Sequence, residues 1–286
     1  MAYIQKNGWL TLDADEKKSV FSLCEGYKDF LSNSKTERLC TSYSIELAEK
    51  EGFKEFDPKK PLKSGDKIYI NNRRKSLMLA VIGKKYITEG IRLVAAHIDS
   101  PRLDLKQNPL YEDTELALFK THYYGGIKKY QWTTIPLAVY GRIIKNDGTA
   151  LDISIGDGEN DPVFCVTDLL PHLAQKQMSQ KMSEAVPGEN LNILIGSLPS
   201  DAEKDIVKEA ILALLKNEYN IDEEDFLSAE IEVVPAGKAR DVGFDRSMVG
   251  SYGQDDRVCA YGALKGILEI NNPENTAVCL WLTKKR

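Results

Sequence analysis

The sequence has no long apolar run, no block of basic residues and no paired cysteines. Because a membrane-spanning helix needs about 20 consecutive apolar residues, we expect no membrane span. The 38 basic and 43 acidic residues give a net charge of −5, so we expect no nucleic-acid partner. The first 18 residues contain no apolar core of a signal peptide. The five cysteines are scattered, without a CxxC pair, which is typical of reduced thiols in a cytoplasmic protein.

The 286 residues are enough for one large domain or two ordinary ones, and the apolar periodicity changes along the chain. Helical spacing predicts helices over 16–33, 35–51, 167–182 and 201–217, and a further helix after Arg257. Short apolar runs predict strands over 67–70, 76–82, 93–96 and 276–282, with Asp13 and Asp15 as candidate helix caps. Between 105 and 165, turn signals such as Asn108-Pro109 separate strand-like runs. We therefore predict an α/β protein whose mixed sheet, formed by 1–101 and 236–286, carries an inserted β-rich domain at 102–235.

The stretch from Arg92 to Asp104 combines a buried-type strand with polar residues at its end. The apolar run Leu93-Val-Ala-Ala96 leads into His97 and Asp99, and Pro101 ends the strand. Ligands collect at the carboxyl ends of strands in open α/β sheets. A histidine two residues before an aspartate there indicates a metal ligand with its orienting carboxylate. On these residues alone, we favour the other interpretation, a surface histidine followed by an Asp-Ser-Pro turn, because short motifs match by chance.

A second acidic motif, Gln254-Asp255-Asp256-Arg257, opens the last predicted helix. Asp255 and Asp256 lie at its first turn, where carboxylates favour the helix dipole and can serve as N-caps. We expect a capping role for one of the two. The other is a candidate metal-bridging ligand, since carboxylate oxygens bind such ions well.

Together these motifs resemble those of the aspartyl aminopeptidase family, and the sequence looks closest to its bacterial branch. The resemblance rests on His97-Ile-Asp99-Ser-Pro101 and on Gln254-Asp255-Asp256-Arg257 about 150 residues later. It extends to Gly125-Gly126 with Trp132, to Pro171-His172-Leu173 and to Glu189-Asn190-Leu191-Asn192. It implies a cytoplasmic di-zinc aminopeptidase that removes N-terminal residues from peptides. It also implies a homo-oligomer that dimerises through the inserted domain and that, in the intact family, forms a larger assembly.

The resemblance assigns roles to four residues. It implies that His97 and Asp255 bind zinc, with Asp255 bridging two ions, and that Asp99 is a catalytic residue that orients the imidazole of His97. His122 resembles a position that reaches an active site across the dimer, although an exposed loop histidine is an open alternative. For His172 we expect a packed or capping role.

The same family pattern continues beyond the strand that matches 276–282, and this sequence departs from it there. The family carries Asp-Lys-Glu-Glu-Ile-Gly, with the general-base glutamate and a further zinc ligand, where this chain has Thr283-Lys-Lys-Arg286. No general base is therefore present. We expect a C-terminally truncated, incomplete peptidase domain that is inactive alone. Codons chosen for 281–286, read two bases out of frame, encode Val-Asp-Lys-Glu-Glu, so a frameshift is our hypothesis for the departure.

Two other interpretations are compatible with the sequence. A non-catalytic fragment could act as an assembly partner through its dimerisation domain. A plain α/β protein with incidental histidine and aspartate residues is the other alternative.

Overall fold

The computed structural model describes residues 6–283 and divides the chain into two compact units. Unit 1 comprises the described residues up to Ser100 together with those from Lys238 onward. Unit 2 is Pro101–Gly237, an insertion between the two parts of unit 1. We predicted these boundaries at 101/102 and 235/236 from the change in sequence periodicity. The predicted ends of the first domain at residues 1 and 286, and the departure from the family pattern after Thr283, lie outside the described residues.

Three helices belong to unit 1, and their ends follow from local capping. Helix α1 begins after Asp13, whose carboxylate accepts from the backbone N–H of Glu16 at 2.8 Å, while Glu16 accepts from Asp13 N at 2.9 Å. This reciprocal capping box satisfies two N–H groups that the helix itself leaves free. Thr36 caps the next helix by accepting from Leu39 N. Numbered in chain order, the helices are α1 (Ala14–Asn33), α2 (Glu37–Lys50) and α5 (Gln254–Leu268).

The main sheet of unit 1 has five strands in the order β1-β2-β3-β14-β4. The last two strands of this order run parallel, and their register pairs Leu282 with His97. His97 is the final residue of β4, which is an edge strand of this sheet among residues 6–283. A separate ribbon pairs β12 with β13. The strands are β1 (Lys54–Glu55), β2 (Lys67–Asn72), β3 (Ser76–Val81), β4 (Ile91–His97), β12 (Arg240–Val242), β13 (Met248–Gly250) and β14 (Thr276–Leu282).

The core of unit 1 forms where α1, α2 and α5 meet this sheet. Trp281 and Phe30 are fully buried there, with their rings packed edge-on at 6.2 Å between centroids. Tyr261 of α5 packs against Phe30 at 5.3 Å. Burial raises the pKa of Tyr27, beside Tyr261, to about 12. This core fixes α5 against the sheet and so positions the two acidic residues at the start of α5.

Unit 2 is a seven-stranded sheet in the order β8-β7-β11-β5-β6-β10-β9. The pairings between its described strands are antiparallel, as expected for strands joined by short turns. Its elements are β5 (Arg102–Asp113), β6 (Leu116–Tyr124), β7 (Leu137–Ile144), β8 (Ala150–Ile155), β9 (Cys165–Val166), β10 (Ile193–Gly196), β11 (Glu230–Pro235), α3 (Gln175–Met178) and α4 (Ile206–Tyr219).

The structure confirms the mixed α/β class and corrects several elements of unit 2. The helix predicted over 167–182 is wrong, since only Gln175–Met178 is α-helical. Pro171 lies ahead of that turn, in an exposed stretch that the apolar spacing alone could not distinguish from a helix. Asn108-Pro109 is not a turn between strands either. It lies inside β5, where the register with β6 shifts between Leu105 and Leu110, so the proline occupies an irregularity that needs no ladder hydrogen bond.

Two features of the structure concern membrane-spanning helices and the cysteines. Within residues 6–283, no helix is both long and apolar enough to cross a membrane. The five cysteines are free thiols. Burial raises the pKa of the Cys40 thiol and of the Cys279 thiol to about 12 each.

Candidate metal centre

His97 stands where β4 ends, and the following residues turn the chain inward. Ile98 is fully buried and its N–H donates to Leu282 O at 3.0 Å, which holds the segment against β14. Asp99 and Ser100 are buried, at 5% and 3% exposure, although both are polar. Buried polar groups require partners. These two residues find them at the candidate site.

The imidazole of His97 is held on one side by Asp99. Its Nδ1 lies 3.1 Å from the Asp99 backbone oxygen and 3.3 Å from Asp99 Oδ1. A carbonyl oxygen can only accept, so Nδ1 is the donor of this hydrogen bond. In the neutral ring the other nitrogen, Nε2, then carries the lone pair. That arrangement is typical of a metal-binding histidine oriented by a carboxylate.

Asp255 faces the other side of the same ring. Its Oδ1 lies 3.4 Å from His97 Nε2, and its side chain is 83% exposed. Ser100 holds the backbone of Asp255 by donating its hydroxyl to the Asp255 carbonyl at 2.8 Å. Sequence reasoning assigned Ser100 only to a turn. The sequence signal that could have identified Ser100 is its position between the histidine motif and Pro101. A hydroxyl buried there needs a hydrogen-bond acceptor.

The first turn of α5 is irregular around the two aspartates. Asp255 and Asp256 have non-helical backbone angles and are joined by a cis peptide bond. Gly253, at φ +84°, precedes this irregular turn and provides no side-chain cap, and the capping role expected of one aspartate stays a prediction. Arg257, 1% exposed, anchors the turn by donating from Nη2 to Lys35 O at 3.1 Å. Asp255 is thus directed outward by a buried anchor two residues later.

The type and spacing of His97 and Asp255 fit two ligands of one zinc ion. Ligand atoms about 2.0–2.2 Å from a tetrahedral zinc lie about 3.3–3.5 Å from each other. The distance from Nε2 to Oδ1 is 3.4 Å. With Nδ1 protonated, two acceptor atoms face each other at this distance, which a cation between them would stabilise. An imidazolium ion pair with Asp255 gives the same distance, and metal titration separates the two states.

The number of ligands is smaller than a complete site uses. Catalytic zinc is commonly bound by three protein ligands and a water. Among residues 6–283, no group of three or more His, Cys, Asp or Glu side chains is arranged to hold a metal ion. The described residues therefore fit part of a zinc site.

The remaining histidines lie in unit 2. His122 is exposed on β6, opposite Asp104 in the register with β5, and its ring stacks on Tyr123 at 5.5 Å. It is therefore a strand residue, whereas the alternative to its functional role was a loop histidine. His172 is exposed, so the packed role expected for it is wrong, whereas the alternative capping role stays a prediction.

The pattern of residues 30–282 matches the family model described as Aminopeptidase I zinc metalloprotease (M18). The chain belongs to the M18 peptidase family. The match covers both units and includes His97, Asp99 and Asp255. The family resemblance drawn from the sequence motifs is thereby confirmed.

Relatives in this family are similar along almost the whole chain. A probable M18 family aminopeptidase 1 from Clostridium acetobutylicum is 52% identical over 286 residues, covering 98% of this chain and 62% of its own length. The crystal structure of an M18 aminopeptidase from Thermotoga maritima superposes with a TM-score of 0.93 at 44% identity, covering 99% of this chain and 62% of that one. The aminopeptidase I structure from Clostridium acetobutylicum gives 0.91 at 49% identity, covering 99% and 64%. The chain thus spans less than two thirds of these relatives.

Proposed function

We propose that this chain carries the His97, Asp99 and Asp255 part of the zinc centre of an aminopeptidase. The observation that carries the proposal is the distance of 3.4 Å between His97 Nε2 and Asp255 Oδ1. The other ring nitrogen of His97, Nδ1, lies 3.1 Å from the Asp99 backbone oxygen and 3.3 Å from Asp99 Oδ1. Family membership supplies the reaction class, which is hydrolytic removal of N-terminal residues from peptides.

Each residue of this group has a distinct role in the proposal. His97 and Asp255 bind zinc, and Asp255, with its exposed carboxylate, has a second oxygen available to a second ion. Asp99 fixes the tautomer and the ring orientation of His97, and Ser100 fixes the backbone of Asp255. When bound, zinc polarises the scissile carbonyl and lowers the pKa of its water to near neutrality.

Because the chain spans 62% of the length of its Clostridium relative, we propose the catalytic activity for the whole protein. With two ligands and no general base among the described residues, we expect the chain alone to hydrolyse aminoacyl fluorogenic substrates at no more than the background rate. The assay is run with added zinc and with added cobalt. Turnover that disappears in the His97→Ala variant would contradict this expectation and show a working centre.

We also propose that the protein is a homo-oligomer that dimerises through the inserted domain at 102–235. Exposed apolar side chains between residues 169 and 182 of that unit support this, because exposed apolar surface is typical of interaction sites. His122, exposed on β6, would then reach a partner's site. Sedimentation over a range of concentrations tests the dimer, and a monomer throughout would contradict it. The supporting side chains are Leu169 (56% exposed), Leu170 (67%), Leu173 (71%), Met178 (70%) and Met182 (64%).

A cytoplasmic location and peptide substrates complete the proposal. Five free thiols are typical of a reducing compartment, and the net charge of −5 gives no support to a nucleic-acid partner. Reactivity of the thiols towards an alkylating reagent in freshly lysed cells measures their redox state directly. Oxidised cysteines there would contradict the proposed compartment.

Zinc binding by the intact chain is the experiment that tests the site itself. Zinc is titrated in competition with a chromophoric chelator, and cobalt absorption reports the ligand environment. We expect His97→Ala and Asp255→Asn each to weaken zinc binding at least tenfold. Asp99→Ala should weaken it by about 10–100-fold, as removal of an orienting carboxylate generally does.

His172→Ala is the matched control, because His172 is an exposed histidine outside the candidate site. Its zinc affinity should equal that of the parent chain. Equal affinity in the parent and in both ligand variants would overturn the assignment of His97 and Asp255. It would also favour the imidazolium ion pair as the explanation of their contact.

A further inference from the structure

Unit 2 contains an apolar cavity of about 410 Å³ between one face of its sheet and α4. Protein interiors are close-packed, and voids larger than a water molecule are few. Sites for small molecules typically have volumes of about 300–1,000 Å³ and mostly apolar walls. The cavity has the size and the lining of such a site.

The floor of the cavity is a fixed surface. Phe119, Val139 and Ile231 line it from three strands and are 6%, 5% and 5% exposed. Val139 pairs with Ile155 on one side and with Val233 on the other, so the ladder sets its position. Because sheet registers are cooperative, this floor exists before any ligand binds.

The roof is a helix held at both ends. At the start of α4, the Glu112 carboxylate accepts from the N–H groups of Val207 and Lys208 at 2.8 and 2.9 Å. After its end, Ile221 is buried and donates to Leu215 O at 3.0 Å, and the Lys145 ammonium donates to Asn220 O. A helix held in this way cannot settle into the space beneath it.

Contact between the helix and the sheet is close at one point and open at another. A Cβ at Gly196 would lie 2.5 Å from Ile211 Cδ1, so the helix already touches the sheet there. Towards the mouth, Leu214 is 42% exposed and Val163 is 56% exposed. Apolar side chains thus continue from the cavity to the surface and leave an entrance.

The lining specifies the chemical class of the occupant. None of the described residues that line the cavity is charged, and the polar side chains among them are Ser197, Tyr219 and Cys165. A charged group placed there would lose its hydration without gaining a counter-ion, which costs several kcal/mol. We propose that this cavity binds an uncharged, predominantly apolar small molecule. The site lies wholly in unit 2, so the proposal is independent of the zinc centre.

Binding of N-phenyl-1-naphthylamine, a neutral apolar fluorophore, tests the proposal on the full chain. We expect saturable fluorescence enhancement with one site per chain and displacement by a neutral alkyl alcohol. Cys165 provides a second readout, since it lines the cavity and is the only cysteine in the sequence of unit 2. Alkylation of Cys165, followed by peptide mapping, should slow when the probe is bound.

Two tryptophan substitutions on α4 form a matched pair. Ile211→Trp fills the cavity and should weaken probe binding at least tenfold, whereas Ala213→Trp, exposed and outside the lining, should leave it unchanged. If Ile211→Trp fails to fold by circular dichroism, Leu214→Trp blocks the mouth at an exposed position and replaces it.

Equal probe affinity in the cavity and control variants would overturn the proposal. So would the absence of saturable binding to the parent chain. A second copy of the chain could occupy the cavity instead. Sedimentation would then show self-association that Ile211→Trp abolishes and Ala213→Trp retains, with no binding of the probe, and the small-molecule proposal would be wrong.

Discussion

Two strands with similar apolar sequences, β4 in unit 1 and β11 in unit 2, differ sharply in burial. In β11, Ile231 is 5% exposed and both Val233 and Val234 are fully buried. In β4, Leu93 and Val94 are 52% and 56% exposed. β11 lies between β7 and β5, whereas β4, among the described residues, is hydrogen-bonded only to β14.

An apolar run can form a strand without being buried. Leu93 and Val94 are adjacent and so point to opposite faces of the sheet. Both are exposed, so both faces of β4 are open at these two positions within residues 6–283. A parallel strand that is apolar on both sides is typical of a sheet covered on both faces. The β4 edge is therefore an apolar surface at which we expect association or aggregation.

The largest expected effect is at the buried strand. Val233→Lys places an ammonium group at a fully buried position of β11 that pairs with Leu103 and Val139. Burial of an unpaired charge is among the few changes that cost more than about 4 kcal/mol. We expect unit 2 to be unfolded or strongly destabilised, with loss of the near-ultraviolet signal of Trp132 in circular dichroism. A native-like melting temperature would show that β11 is not a central strand.

A smaller loss is expected inside unit 1 on β14, the strand beside β4. Trp281 is fully buried, whereas its neighbour Leu282 is 47% exposed. Trp281→Ala should lower the free energy of unfolding by about 3–5 kcal/mol because it leaves a cavity. Leu282→Ala should lower it by less than about 1 kcal/mol, since little of that side chain is removed from water. Urea denaturation of both variants measures the difference, and similar losses would contradict the described core.

Much of unit 1 was predictable from the sequence, because its elements carry strong local signals. The strand over 276–282 and the helix over 16–33 follow from apolar runs, spacing and Asp13. His97 and Asp99 were identifiable because a strand end and a proline mark them. The contact between His97 and Asp255 was not, since it depends on a fold that brings together residues about 160 positions apart. The family resemblance, and not the spacing, linked them.

Unit 2 was harder to predict for two physical reasons. The apolar segment over 167–182 has helical spacing, but most of it packs against little and does not form a helix. The cavity has no sequence signature, because its lining comes from all seven strands of the unit 2 sheet, which are brought together by their register, and from α4. The exposure of β4 was not predictable either, since an apolar run does not show how many strands pair with it.

A pH dependence should distinguish the buried side of β14 from the exposed β4 beside it. Cys279 is 2% exposed and pairs in register with Val94, and burial raises the pKa of its thiol from 9.0 to about 12. Cys40 shows the same shift. Because the folded pKa is raised, stability is independent of these thiols below about pH 9 and falls as the pH rises towards 12. The unfolded chain ionises first, so we expect a loss of about 1 kcal/mol per thiol between pH 9 and 10.

Denaturation of unit 1 at pH 7, 9 and 10 measures this loss. Cys279→Ala should remove the contribution of one thiol, about 1 kcal/mol, from the loss of stability between pH 9 and 10. Cys24 is not a buried cysteine, so Cys24→Ala serves as the control. Tyr27 and Tyr69, whose pKa values are raised from 10.0 to about 12, contribute mainly above pH 10. An unchanged slope in Cys279→Ala would show that this thiol is accessible to solvent.

The smallest change in stability is expected at β4 itself. Val94→Lys replaces a side chain that is 56% exposed, so it should alter the free energy of unfolding by less than about 0.5 kcal/mol. The added charge should nevertheless slow aggregation, because charged residues on a sheet edge oppose pairing with another chain. Light scattering at high protein concentration measures the second effect beside urea denaturation. If Val94→Lys instead destabilised the chain as strongly as Val233→Lys, β4 would be a covered strand, and the contrast between the two strands would not hold.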